Sequence, residues 1–102
     1  FVIVMEGFMD VIRAYTIGIT NVVAAMGTAI TKQQANLIKR LGKEIILCFD
    51  GDDAGAKATN ACADELAKIG VTPKVIRLKD NMDPDEYIQK YGQKSFENLI
   101  VL

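Results

Sequence analysis

Residues 44–55 read EIILCFDGDDAG, and the change of character after Phe49 decides the fold. Glu44 to Phe49 (EIILCF) predicts a buried strand, apolar after its first residue. Asp50-Gly51-Asp52-Asp53-Ala54-Gly55 then makes a tight acidic turn. From Ala56 to Ile69 the chain is Ala-rich with helical spacing, and Gly70 stands where a helix ends. Strand, acidic turn and helix therefore form one unit.

The unit recurs on both sides of this stretch. Phe1 to Met5 (FVIVM) predicts a buried strand that Glu6-Gly7 ends abruptly, and Phe8, Val11, Ile12 and Tyr15 follow helical spacing up to Ile17 and Gly18. Asn21 to Ala25 predicts a short strand. After the loop Met26 to Ala29, Thr31 and Gln34 have the spacing of a capping box, and Gly42 closes that helix. Lys74 to Leu78 predicts a fourth strand. A helix then starts at Asp83-Pro84-Asp85-Glu86, with proline at the first helical position behind an acidic cap. Gly92 breaks it, and Ser95 to Leu102 predicts one more short helix. Strands alternating with helices through short turns imply an α/β fold, an open parallel sheet of about four strands flanked by helices on both faces. The apolar helix stripes are expected in the core.

At 102 residues, half of them apolar, the chain has room for one domain, residues 1–102, and material for a real core. Twelve basic and thirteen acidic residues leave a net charge of −1, so bulk charge does not drive nucleic-acid binding. The absence of histidine excludes His-based acid–base catalysis, Ser-His-Asp triads and Cys/His zinc sites. Cys48 and Cys62 lack CxxC spacing and sit in apolar stretches, which predicts reduced core thiols and a cytoplasmic location. No apolar run approaches the roughly 18 residues of a membrane helix, and no membrane partner is expected. The sequence opens at Phe1 inside a strand without an initiator methionine, and reads as a piece of a longer chain.

Ligands of open parallel sheets bind outside the carboxyl ends of the strands, where strand order reverses. Glu6 follows the first strand, Asp50 and Asp52 the third, and Asp83 and Asp85 the fourth, while Asp10 lies one helical turn beyond Glu6. With strand order two, one, three, four, these carboxylates converge. Two carboxylates about 5 Å apart repel by roughly 3 kcal/mol at an effective dielectric near 20, so the pocket calls for a cation. Hard oxygen donors alone point to Mg²⁺, with Mn²⁺ able to substitute, and not to zinc. Mg²⁺ keeps coordination sites for phosphate oxygens, which implies phosphoryl or nucleotidyl transfer.

With these residues placed, the chain resembles the TOPRIM domain, shared by bacterial-type primases, type IA and type II topoisomerases and some nucleases. The family's glutamate after the first strand and Asp-x-Asp after a later one are matched by Glu6 and by Asp50-Gly51-Asp52. EGFMD (Glu6 to Asp10), AAMGTA (Ala24 to Ala29), CFDGDDAG (Cys48 to Gly55) and DPDE (Asp83 to Glu86) resemble the bacterial replicative primase branch, from about Val4 to Gly92. One departure is Lys79-Asp80-Asn81-Met82, where primases often carry glycine before the DPD segment. Asparagine also adopts the left-handed conformation.

The resemblance implies a Rossmann-like TOPRIM fold excised from a longer primase chain. It implies nucleotidyl transfer that builds RNA primers from ribonucleoside triphosphates on single-stranded DNA during replication. Glu6, Asp50 and Asp52 are the implied catalytic residues and, with Asp10, Asp83 and Asp85, the implied metal ligands. Glu6 could instead be a general base. Lys57, Arg77 and Lys79 are candidates for contact with nucleic acid or triphosphate, and Gly27 and Thr28 for backbone contact with phosphate. The parent is expected to contact a replicative helicase and to carry zinc through other segments. Without a concentrated basic stripe, this stretch alone is expected to be inactive. The alternatives are a topoisomerase or nuclease of the same family, a phosphoacceptor signalling domain with acids around Mg²⁺, and a metal-free interaction module.

Overall fold

The computed structural model describes residues 1–25, 30–42 and 44–100. Four parallel strands, β1 (Val2–Met5), β2 (Val22–Ala24), β3 (Ile45–Phe49) and β4 (Lys74–Arg77), form one sheet in the order β2-β1-β3-β4. Ile3 pairs with Val22, Val4 with Leu47, and Cys48 with Ile76. The helices are α1 (Phe8–Thr16), α2 (Lys32–Leu41), α3 (Asp53–Ala67) and α4 (Pro84–Ile100), with a single 3₁₀ turn at Lys79–Asn81. This is the expected α/β architecture, and strand order reverses between the two central strands β1 and β3.

Alternation along the central strands splits the core into two layers. Ile3, Met5, Ile46, Cys48 and Ile76 pack with Ala14 of α1 and with Tyr87, Ile88, Phe96 and Ile100 of α4. Val2, Val4, Ile45, Leu47 and Phe49 pack with Ala35 and Ile38 of α2 and with Cys62 and Leu66 of α3. Because a strand's successive side chains point to opposite faces, one buried run serves both layers. The two cysteines are buried and free, in different layers. Burial pushes the thiol of Cys48 up to about 12, helped by Asp10 and Asp50, and that of Cys62 up to about 11.

The helix boundaries follow local chemistry. The Thr31–Gln34 capping box forms, with the Gln34 N–H donating to Thr31 Oγ1 at 3.1 Å and the Thr31 N–H to Gln34 Oε1 at 2.9 Å. α1 ends with the Gly18 N–H donating to the Tyr15 carbonyl and the Ile19 N–H to that of Ala14; Gly70 and Val71 repeat the arrangement after α3. Two expectations are corrected. α3 begins at Asp53, not Ala56, because the Asp52 carboxylate caps it. The stripe of Phe8, Ile12 and Tyr15 does not enter the core: each is more than half exposed, because α1 turns Asp10 and Ala14 inward instead. α4 bends at Gly92, whose φ of 88° is not helical, so the expected break is present. Met26, Gly27, Thr28 and Ala29 lie outside the described residues. No described helix is long and apolar enough to cross a membrane.

Candidate functional site

The carboxyl ends of β1 and β3 lie side by side, and the residues that follow them begin the site. Glu6 leaves β1 and its Oε1 accepts a hydrogen bond from the Asp50 N–H at 3.0 Å, tying the two strand ends together across the point where strand order reverses. The turn after β3 is held against the segment after β4 by the Gly51 N–H, which donates to the Met82 carbonyl at 2.8 Å. A Cβ on Gly51 would collide with the Leu78 carbonyl, and one on Gly55 with the Asp50 carbonyl. Both glycines are thus required by close backbone approach, and together they let the acidic turn fold tightly over the strand ends.

Most of the acids here commit an oxygen to a main-chain N–H. Asp52 Oδ1 accepts from Gly55 at 2.7 Å, and Asp10 Oδ1 accepts from Asp85 at 3.0 Å. Asp83 Oδ1 accepts from Glu86 at 2.7 Å while Glu86 Oε1 accepts from Asp83 at 3.2 Å, a second capping box. Asp85 pairs with Arg13, its Oδ1 lying 2.6 Å from the guanidinium Nε. Asp50 differs: its Oδ1 is buried with no hydrogen-bond partner among the described residues.

The electrostatics follow from that crowding. Burial first, then the charges of Glu6, Asp10, Asp83 and Asp52, push the Asp50 carboxyl from 3.8 up to about 7. Asp10, only 7% exposed, is raised mainly by burial, against the lowering effect of the Asp85 N–H. Asp83 is also raised, by burial before all else. The predicted acids therefore lie on one rim and feel one another, but among the described residues no three of them already form a coordination sphere. Glu6, Asp10, Asp52 and Asp83 each direct one oxygen to a backbone donor instead.

The donor set and the orphaned oxygen of Asp50 suit a hard divalent cation. An unpartnered buried carboxylate oxygen costs free energy that a cation offsets, and a rim of carboxylates without imidazole or thiolate selects Mg²⁺ or Mn²⁺. A Toprim-like family model matches residues 3–88. The chain belongs to the Toprim-like family. Within that family it is similar to the DNA primase of Halalkalibacterium halodurans, 46% identical over 99 residues that cover 97% of this chain and 16% of that protein. The solved zinc-binding and RNA polymerase domains of the Aquifex aeolicus primase match with a TM-score of 0.90 at 40% identity, over 97% of this chain and 25% of that one. A DnaG primase catalytic domain bound to single-stranded DNA matches with a TM-score of 0.86 at 32% identity, over 97% of this chain and 33% of that one. The chain is a TOPRIM domain of the bacterial primase type, and spans about a sixth of the length of the curated relative described above.

The basic candidates of this TOPRIM domain are all at the surface. Lys57 on α3 and Arg77 at the end of β4 are exposed. Lys79 is exposed too, and its Nζ lies 4.2 Å from the centroid of the Tyr91 ring. Arg13 and Tyr91 escape a reading of the sequence. Arg13 meets a partner 72 positions away, and nothing local announces it. Asn81 has φ 57°, the left-handed conformation that asparagine, like glycine, adopts.

Proposed function

We propose that this domain is the metal-binding catalytic part of a primase that adds ribonucleotides to a growing RNA primer on a single-stranded DNA template. The observation that carries the reading is the buried, unpartnered Oδ1 of Asp50 at the centre of the acidic rim. Glu6, Asp50 and Asp52 are the residues that would hold a catalytic Mg²⁺ or Mn²⁺, with Asp10, Asp83 and Asp85 holding a second at the neighbouring end. Bound there, such an ion supplies charge stabilisation to phosphate oxygens during nucleotidyl transfer.

The chain's own residues do the positioning. Glu6 fixes the Asp50 main chain through Oε1 and keeps Oε2 for a ligand or a proton. Asp52 holds the first turn of α3 through Oδ1, so its remaining oxygen has a rigid origin. Asp10 and Asp83 likewise set the start of α4. Lys57, Arg77 and Lys79 offer cations to template or triphosphate. Contacts to the helicase, and the concentrated basic surface that a template needs, belong to other parts of the parent protein, for which a cytoplasmic location is proposed.

Similarity to primases favours this reading over a topoisomerase or nuclease of the same family. An Mn²⁺ soak with anomalous scattering tests the ligand assignment, with density expected beside Asp50. Primer synthesis by the parent protein tests the activity: Asp50→Asn should abolish it while the domain still folds. Full Mn²⁺ affinity in Asp50→Asn would overturn the assignment.

A further inference from the structure

Arg13 makes the one ion pair that reaches the rim among the described residues. It stands near one end of α1, three residues after Asp10, and joins α1 to the first turn of α4 through Asp85 Oδ1. Its partner Asp85 is tied in turn to Asp10, whose Oδ1 accepts from the Asp85 N–H, while Asp83 and Glu86 cap the same turn of α4 through a separate pair of hydrogen bonds. Among the described residues the Asp50 end of the rim has no such cation, and its buried oxygen is unpartnered. One end of the acidic rim is therefore already partly neutralised by the protein, and the other is not.

We propose that Arg13 is a built-in counter-cation that makes the Asp10–Asp85 end of the rim the weaker of two divalent-ion subsites. The inference rests on the metal-binding reading given above and adds an order of affinity to it. Two effects compete. A cation beside a ligating carboxylate can orient it and tighten binding, or it can oppose a second cation by repulsion and by occupying an oxygen. Repulsion wins here, because orientation is supplied by other groups. The Asp85 main chain is held by its N–H to Asp10 Oδ1 at 3.0 Å and follows buried Pro84 at the start of α4. Removing Arg13 leaves that anchor intact and frees Oδ1. The consequence is low resting occupancy at this end, which fills when an anionic ligand adds oxygens of its own.

Titration of the 102-residue chain with Mn²⁺, read by the electron paramagnetic resonance of the free ion, tests this. Wild type should show a tight and a weak class of sites. Arg13→Gln should tighten the weak class roughly tenfold and leave the tight class unchanged, the size expected for removing one charge about 5 Å from a dication in a half-exposed site. Asp85→Asn should abolish the weak class, and adding Arg13→Gln to it should not restore it. A weak class that Arg13→Gln leaves unchanged, or loosens, would overturn the proposal. If Arg13→Gln does not fold, Arg13→Lys carries the test: it keeps the charge and should stay within about threefold of wild type, and a tenfold change would overturn the counter-cation role. No Mn²⁺ binding by wild type would instead bring down the metal-binding reading itself.

Discussion

Asp50→Asn should stabilise the domain at alkaline pH when divalent ions are absent, and the gain should vanish in acid. Burial and neighbouring carboxylates raise the Asp50 carboxyl from 3.8 to about 7 in the folded chain, so folding favours its protonated form. The stability this lends is fully present below pH 3.8, declines as the unfolded chain ionises, and is gone once pH passes about 7. In a site sealed from water the whole effect would be roughly 4 kcal/mol, at about 1.36 kcal/mol per pH unit. Asp50 is only partly buried, and solvent screening reduces this to roughly 1–2 kcal/mol. Asparagine removes the charge while keeping the shape. Urea unfolding followed by circular dichroism in chelator should therefore give equal stabilities near pH 4 and a gap of roughly 1–2 kcal/mol in favour of the variant at pH 8. Saturating Mn²⁺ should reverse the order at pH 8, because a ligand at about 100 times its Kd adds roughly 2.7 kcal/mol to the chain that binds it. A variant less stable than wild type at pH 8 in chelator would refute the reasoning, since it would mean that Asp50 is stabilising without a metal.

Other substitutions test the scaffold. Gly55→Ala should cost roughly 3 kcal/mol in urea unfolding, because its Cβ meets the Asp50 carbonyl; helix propensity alone predicts a gain of about 1 kcal/mol, so the two ideas differ in sign. Asn81→Val should lose about 1–2 kcal/mol at its φ of 57°, whereas Asn81→Gly should be neutral or slightly stabilising, as read from thermal midpoints. Phe96 is fully buried between α4 and the sheet, and Phe96→Ala should cost about 3–5 kcal/mol by the same unfolding assay.

The strands were legible because Ile45 to Phe49 and Val2 to Met5 are apolar at every position, which only a sheet covered on both faces accommodates. Strand order entered as a condition, since the acids converge if the order is two, one, three, four, and that order is the one observed. Helix limits were less legible. Asp-Gly-Asp-Asp suits a turn as well as a cap, and the Asp52 carboxylate chooses the cap by bonding the Gly55 N–H, which draws three further residues into α3. The stripe on α1 misled for another reason: helical periodicity reveals that faces differ, without saying which one packs. Here the small Ala14 and the polar Asp10 face inward, since close approach to the sheet and a partner for the Asp85 N–H matter more than the apolar area of Phe8 or Ile12.

That exchange explains why the same acids serve both fold and site. A carboxylate has two oxygens, and on this rim Glu6, Asp10, Asp52 and Asp83 each use one to hold backbone at a strand end or helix start. The pinned oxygen fixes the place of the other, so each potential ligand is pre-oriented by a bond the fold needs anyway. Asp50 is the exception, with its main chain held by Glu6 and its buried Oδ1 unpartnered. Its main chain is thus set by the Glu6 carboxylate, while its own charge is left without a partner among the described residues.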